Sequence, residues 1–159
     1  MKEIALKLNY TEYNSIEEMT AEDQELVKAA NQARMGSYSP YSNFQVGAAL
    51  RLANGLIVKG ANQENAAYPS GLCAERTAMF WASANYPDVP FDTLAIAGAD
   101  HGELCESPAS PCGACRQVMA EYQKKYGRPL KTIWVGAKRI RKFEKVEDIL
   151  PFIFDSLKV

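Results

Sequence analysis

The chain reads as an α/β protein, a three-layer α/β/α domain around a mixed sheet of about five strands. Three observations predict this. Asn54-Gly55 between two apolar stretches marks an opening hairpin. Strands and helices alternate after it, which covers both faces of a sheet. With 47% hydrophobic and 23% charged residues, a chain of 159 residues builds one core without disulfide staples. No repeat, low-complexity tract or linker divides residues 1–159, so they form a single domain with residues 1–19 as an N-terminal extension.

The first helix is expected from Thr20 to about Met35. Thr20 and Asp23 suit its N-terminus, and Leu26, Val27, Ala30 and Ala33 form an apolar stripe. Gly36 ends it, and Ser39-Pro40-Tyr41-Ser42 forms a turn. Phe44 to Leu52 and Leu56 to Ala61 are the hairpin strands. A second helix starts near Cys73 and stops before Pro87. Thr93 to Ala99 is an apolar strand, and Cys112 to Tyr126 is a helix stopped by Gly127. Thr132 to Gly136 and Arg139 to Phe143 complete the strands, and Val146 to Leu150 begins a short last helix.

The formal net charge of -1 gives no global electrostatic case for nucleic acid. No apolar run reaches membrane-spanning length, and the charged start Met1-Lys2-Glu3 does not suit a signal peptide. Four cysteines in such a chain fit a reducing cytoplasm, where clustered thiols serve metals or catalysis.

Three of those cysteines lie in Cys73-Ala74-Glu75 and Pro111-Cys112-Gly113-Ala114-Cys115. Both motifs fall at helix N-termini, where backbone N–H groups and the helix dipole favour thiolate. Three soft ligands leave a fourth tetrahedral position on zinc open to water. Glu75, two residues from a ligand, then has a carboxylate free to move protons, a pattern described for zinc nucleobase deaminases. Cys112-Gly113-Ala114-Cys115 alone also resembles a dithiol redox motif, but Glu75 has no task in redox chemistry. A closed structural zinc site would need His101 or Cys105 as fourth ligand, and no paired spacing links either to Cys73. His101 is the only histidine, so Glu75 takes the acid/base role by elimination.

Taken together, these residues resemble the small homotetrameric cytidine deaminases over roughly Ala29 to Phe154. Tyr38 to Leu50 is similar to that family's opening turn and strand, and Asn62-Gln63-Glu64-Asn65-Ala66-Ala67-Tyr68 to its nucleoside-binding segment. Cys73 to Ala78 and Pro111 to Gln117 are similar to its zinc and catalytic motifs, and Leu150-Pro151 with Phe154 to its C-terminal segment.

The resemblance implies one zinc per subunit on Cys73, Cys112 and Cys115, with Glu75 catalytic. It implies nucleoside contacts from Phe44, Asn62, Glu64, Tyr68 and Ala74, with Phe154 supplied by a neighbouring subunit. It also implies a cytoplasmic enzyme of pyrimidine salvage, without nucleic-acid or membrane partners. The expected reaction is hydrolysis of cytidine and 2′-deoxycytidine to the uridine nucleosides and ammonia.

Three structural expectations accompany it. If Phe44, Asn62 and Glu64 share one face by regular pairing, the hairpin loop must be the three residues Ala53-Asn54-Gly55, with Gly55 left-handed. Arg76, rather than Arg116, is expected to offset the excess negative charge of three thiolates. The long stretch from Asp100 to Ala109 is expected near the substrate entrance. A polynucleotide substrate has one argument, the basic run Lys138-Arg139-Ile140-Arg141-Lys142, which reads more simply as the solvated face of an edge strand.

Overall fold

The computed structural model describes residues 1–155. Helix α1 spans Ala21–Ala33, and Thr20 caps it by accepting from the Asp23 amide at 3.3 Å. Strands β2 (Phe44–Leu52) and β3 (Ile57–Ala61) form the hairpin. Helix α2 spans Ala74–Asn85 and helix α3 Gly113–Tyr126, with Cys73 and Cys112 at their N-caps. Gly127 ends α3 in the left-handed conformation, as its position suggested. Strands β4 (Phe91–Asp100) and β6 (Lys131–Val135) are parallel neighbours joined through α3, and β7 (Ile140–Phe143) returns antiparallel.

The sheet has seven strands rather than about five. The two additions are β1 (Thr11–Tyr13) and β5 (Glu103–Leu104). The order is β1-β7-β6-β4-β2-β3, with β5 pairing β4. Thus part of the N-terminal extension belongs to the sheet: β1 pairs antiparallel with β7, and Met19 is buried under α1. Two further expectations are corrected. The last helix is one 3₁₀ turn over Val146–Asp148, and β7 is an interior strand because β1 covers it.

Acidic side chains from β1, α1 and the loop after β5 engage the basic run. Arg141 pairs with Glu12 at 2.8 Å, Lys142 with Asp23 at 2.7 Å and Lys138 with Glu106 at 2.7 Å. Each of these three cations thus has an acidic partner within the chain.

Alternation along the strands sorts the core into two layers. Ala49, Ala95, Ala97 and Ile133 face α1 through Leu26, Val27 and Ala30. Ala48, Leu50, Leu94 and Ile96 face α2 and α3 through Ala78, Met79 and Met119. The α2–α3 layer holds both cysteine motifs. Contact there is close at Gly60, where a Cβ would lie 2.6 Å from the Ala74 carbonyl oxygen and the Ala78 nitrogen. Only glycine lets α2 sit this near β3.

Candidate metal centre and substrate cavity

The hairpin register sets the site's geometry. Arg51 faces Ile57 and Gly47 faces Ala61, which requires the three-residue loop Ala53-Asn54-Gly55. Gly55 has φ +88° and its amide donates to the Leu52 carbonyl at 2.9 Å. The Asn62 amide extends the ladder to the Val46 carbonyl at 3.1 Å. Beyond Asn62 the chain leaves β2, and the Glu64 amide donates to the Tyr38 carbonyl at 2.8 Å, so Glu64 is not paired with Phe44.

At the tips of those helices the three thiols converge. Cys73 Sγ lies 3.8 Å from Cys112 Sγ, which lies 3.5 Å from Cys115 Sγ, and all three fall within 4.8 Å of one another. Tetrahedral zinc with Zn–S bonds near 2.3 Å separates its sulfurs by ~3.8 Å, so this donor set fits zinc. Neither N-cap sulfur accepts a capping bond from a backbone amide of its helix. No fourth His, Cys, Asp or Glu joins the group among the described residues. Cys105 instead donates its amide to Gly98, and exposed His101 pairs with Asp100 at 2.8 Å.

The thiols do not titrate alike. The Cys115 thiol hydrogen-bonds Cys73 and holds its pKa down to about 5, with Arg76 assisting through an Nη2–Sγ contact of 3.5 Å. Cys115 is raised, first by that bond to the Cys73 thiolate and then by burial. Glu75 is only 4% exposed. Burial, with the Cys73 thiolate adding to it, pushes its carboxyl up to about 7.

A cavity of about 670 Å³ opens beside Cys73 and Arg76, lined also by Asn62, Glu64, Tyr68 and Leu72. A soft-ligand metal centre, a buried carboxyl poised near neutrality and an adjoining cavity with a few polar groups suit hydrolysis.

Residues 20–127 match the family described as the cytidine and deoxycytidylate deaminase zinc-binding region. The chain belongs to this family. Zinc is its metal and hydrolytic deamination its chemistry.

Among relatives of this deaminase, a cytidine deaminase of Halalkalibacterium halodurans is 53% identical over 98 residues, covering 62% of this chain and 70% of the relative. One from Sporosarcina psychrophila is 46% identical over 99 residues, covering 62% and 68%. The crystal structure of cytidine deaminase from Burkholderia pseudomallei superposes with TM-score 0.72 at 40% identity, over 86% of this chain and 100% of that one. The enzyme from Mycobacterium tuberculosis gives 0.66 at 32% identity, over 85% and 98%.

The deaminase cavity gathers some expected residues and leaves others outside. Asn62 is held by three bonds: its Nδ2 donates to the Phe44 carbonyl at 2.9 Å, and its Oδ1 accepts from the Val46 amide and Ser37 hydroxyl, leaving one Nδ2 hydrogen to offer. Glu64 accepts from the Tyr41 and Ser42 amides and from the Ser42 hydroxyl, which hold its carboxyl below the ordinary range. Ala74 is buried between Cys73 and Glu75. Tyr68 is 92% exposed at the rim. The Phe44 ring turns toward Gly98, where an added Cβ would meet it at 3.1 Å. Phe154 lines a different cavity, beside the end of α3.

Arg76 takes the contact with sulfur, as expected. Arg116 instead donates to the Pro111 and Ile149 carbonyls, both at 2.9 Å. The stretch from Asp100 to Ala109 ends with Ala109 against Gly98, beside the Phe44 ring. Its start is a tight hairpin whose His101 and Gly102 line a separate groove with Ser37, Tyr38, Ser39 and Asn43. Sequence reasoning missed the anchoring of Glu64 by Tyr41 and Ser42. A signal existed in Asn43, which tolerates the left-handed φ of +57° that closes this turn.

Proposed function

We propose that the chain hydrolyses the 4-amino group of cytidine and 2′-deoxycytidine, yielding uridine or 2′-deoxyuridine and ammonia in pyrimidine salvage. The observation that carries this reading is the buried Glu75 carboxyl, with its pKa near neutrality, beside three mutually close thiols. The relatives named cytidine deaminases support the substrate class.

In this reading Cys73, Cys112 and Cys115 hold one zinc per subunit, with Arg76 offsetting thiolate charge. Zinc supplies a Lewis acid that brings the pKa of a water toward neutrality. Glu75 accepts a proton from the attacking water and delivers it to ring N3 while oxygen adds at C4. It then carries the proton of the added hydroxyl to the 4-amino nitrogen, so that C4=O forms as the C4–N bond breaks and ammonia leaves. Asn62 and Glu64 receive the ribose 3′-hydroxyl, prepositioned by the bonds that fix them. Phe44, Tyr68 and Ala74 flank the nucleoside.

Phe154 would complete a neighbouring subunit's site in a homotetramer. Its place outside the cavity and the exposed Phe80 and Trp81 on α2 support such assembly. The free thiols suit the cytoplasm.

The test is conversion of cytidine to uridine, followed by ultraviolet absorbance, for wild type and Glu75→Gln. The variant should retain zinc and lose nearly all turnover. Full turnover by Glu75→Gln would remove Glu75 from the role, and zinc-loaded wild type that leaves cytidine unchanged would overturn the substrate.

A further inference from the structure

Residues 1–10 are exposed throughout and serve no part of the metal centre. From Glu3 to Tyr10 their sequence nevertheless alternates: Ile4, Leu6, Leu8 and Tyr10 fall on one side, Glu3, Ala5, Lys7 and Asn9 on the other, with only Lys2 breaking the apolar side. Period two is the pattern of a strand with one apolar face. The four apolar residues are 50–75% exposed, so that face is uncovered.

The arm is held only at its base. Tyr10 packs on Phe143 with ring centroids 5.4 Å apart and lies under Arg141, and the Asn9 amide donates to Asp148 at 3.4 Å. β1 pairs with β7 from Thr11 onward, opposite Lys142. Past Phe143 the chain turns into the Val146–Asp148 helical turn, so β7 offers no further partner. Among the described residues no strand pairs with residues 1–10. An extended apolar arm with unpaired N–H and C=O groups is a template for strand addition.

We propose that this arm pairs antiparallel with the same arm of a second copy of the chain, about a twofold axis through Ala5. That register sets Glu3 opposite Lys7 of the partner subunit and Ile4 opposite Leu6 of the partner subunit. Twofold symmetry repeats each pair, giving two ion pairs and two apolar pairs, with alanine on the axis. Moving the axis to Ile4 or Leu6 leaves Glu3 and Lys7 without opposite charges. A one-residue slip sets apolar residues against polar ones. The charge pattern therefore selects both the occupant and the register.

Cysteine cross-linking in the full-length chain tests this, with wild type as the blank for native thiols. Ala5→Cys should form a disulfide-linked dimer under mild oxidation, because residues on the axis face each other at bridging distance. Lys2→Cys should not, since its two copies lie ~20 Å apart in this register. Adding Glu3→Lys or Lys7→Glu to Ala5→Cys should abolish the dimer, and adding both should restore it. Equal cross-linking by Lys2→Cys and Ala5→Cys would overturn the register. Failure of the double charge reversal to restore the dimer would overturn arm–arm pairing in favour of docking on the body of a second copy.

Discussion

Arg116 Nη1 donates to the Ile149 carbonyl at 2.9 Å, joining the helix that carries Cys115 to the start of the C-terminal segment. Its Nε donates to the Pro111 carbonyl at 2.9 Å, and its guanidinium lies 5.6 Å from the Trp134 ring centroid. One rigid fork thus fixes the loop entering Cys112 against the chain leaving β7. Arg116→Ala should cost about 2–3 kcal/mol of stability through two charge-assisted bonds. It should also speed zinc loss to a chelator, because Pro111 precedes Cys112. Arg116→Lys should recover only part of this, since an ammonium cannot reproduce the fork. Thermal melts and zinc-release rates check it, and wild-type values for Arg116→Ala would refute the clamp.

Arg76 acts on the sulfur itself. Three thiolates around Zn²⁺ leave a charge of -1, and Nη2 of Arg76 sits 3.5 Å from Cys73 Sγ. Arg76→Ala should weaken zinc retention by about 10–100-fold, the usual cost of losing such a supporting contact. Competition against a zinc-binding dye measures this directly. Unchanged affinity would mean the thiolates need no such correction.

These two arginines mark what was legible in the sequence. Cysteine spacing at a helix tip is local geometry, so Cys73, Cys112 and Cys115 were readable, and so was Arg76 one turn from Cys73. The hairpin was readable because Asn54-Gly55 and the face requirement together select one loop length. β1 and β5, three and two residues long, are too short to show periodicity. The pairing of β1 with β7 is not legible either, since Glu12 meets Arg141 across 129 positions. Separation in sequence likewise hid the pairing of Lys142 with Asp23, 119 positions apart, and the contact from Arg116 to Ile149, 33 apart.

Gly60 offers a steric test of how the sheet positions the metal centre. An added Cβ meets the backbone of Ala74 and Ala78, which cannot move without moving Cys73 and Glu75. Gly60→Ala should destabilise by ~1–3 kcal/mol and reduce kcat well below the melting temperature. Gly47→Ala crowds the Ala30 carbonyl and Arg34 amide at the end of α1, where no candidate site residue lies. It should destabilise comparably while sparing kcat in the folded protein. Equal kcat losses in both variants would show that strain spreads through the sheet rather than along α2.

On the opposite face, the Asp23 carboxylate accepts from Arg51 at 3.1 Å and Lys142 at 2.7 Å, with its side chain 4% exposed. Burial acts to raise its pKa, but the bonds from Lys142 and Arg51 outweigh it and hold the carboxyl below the usual range. A carboxyl depressed in the folded state stabilises fully above its unfolded pKa, about 3.9, and ceases to do so as pH falls through the folded value. Asp23→Asn should therefore cost about 3 kcal/mol at pH 7, where it leaves Lys142 partly buried without its main partner. The gap from wild type should narrow progressively below about pH 4, as wild-type Asp23 itself takes up a proton. Urea denaturation at pH 7 and pH 3 measures both gaps. A gap of equal size at the two pH values would assign the loss to packing instead of charge.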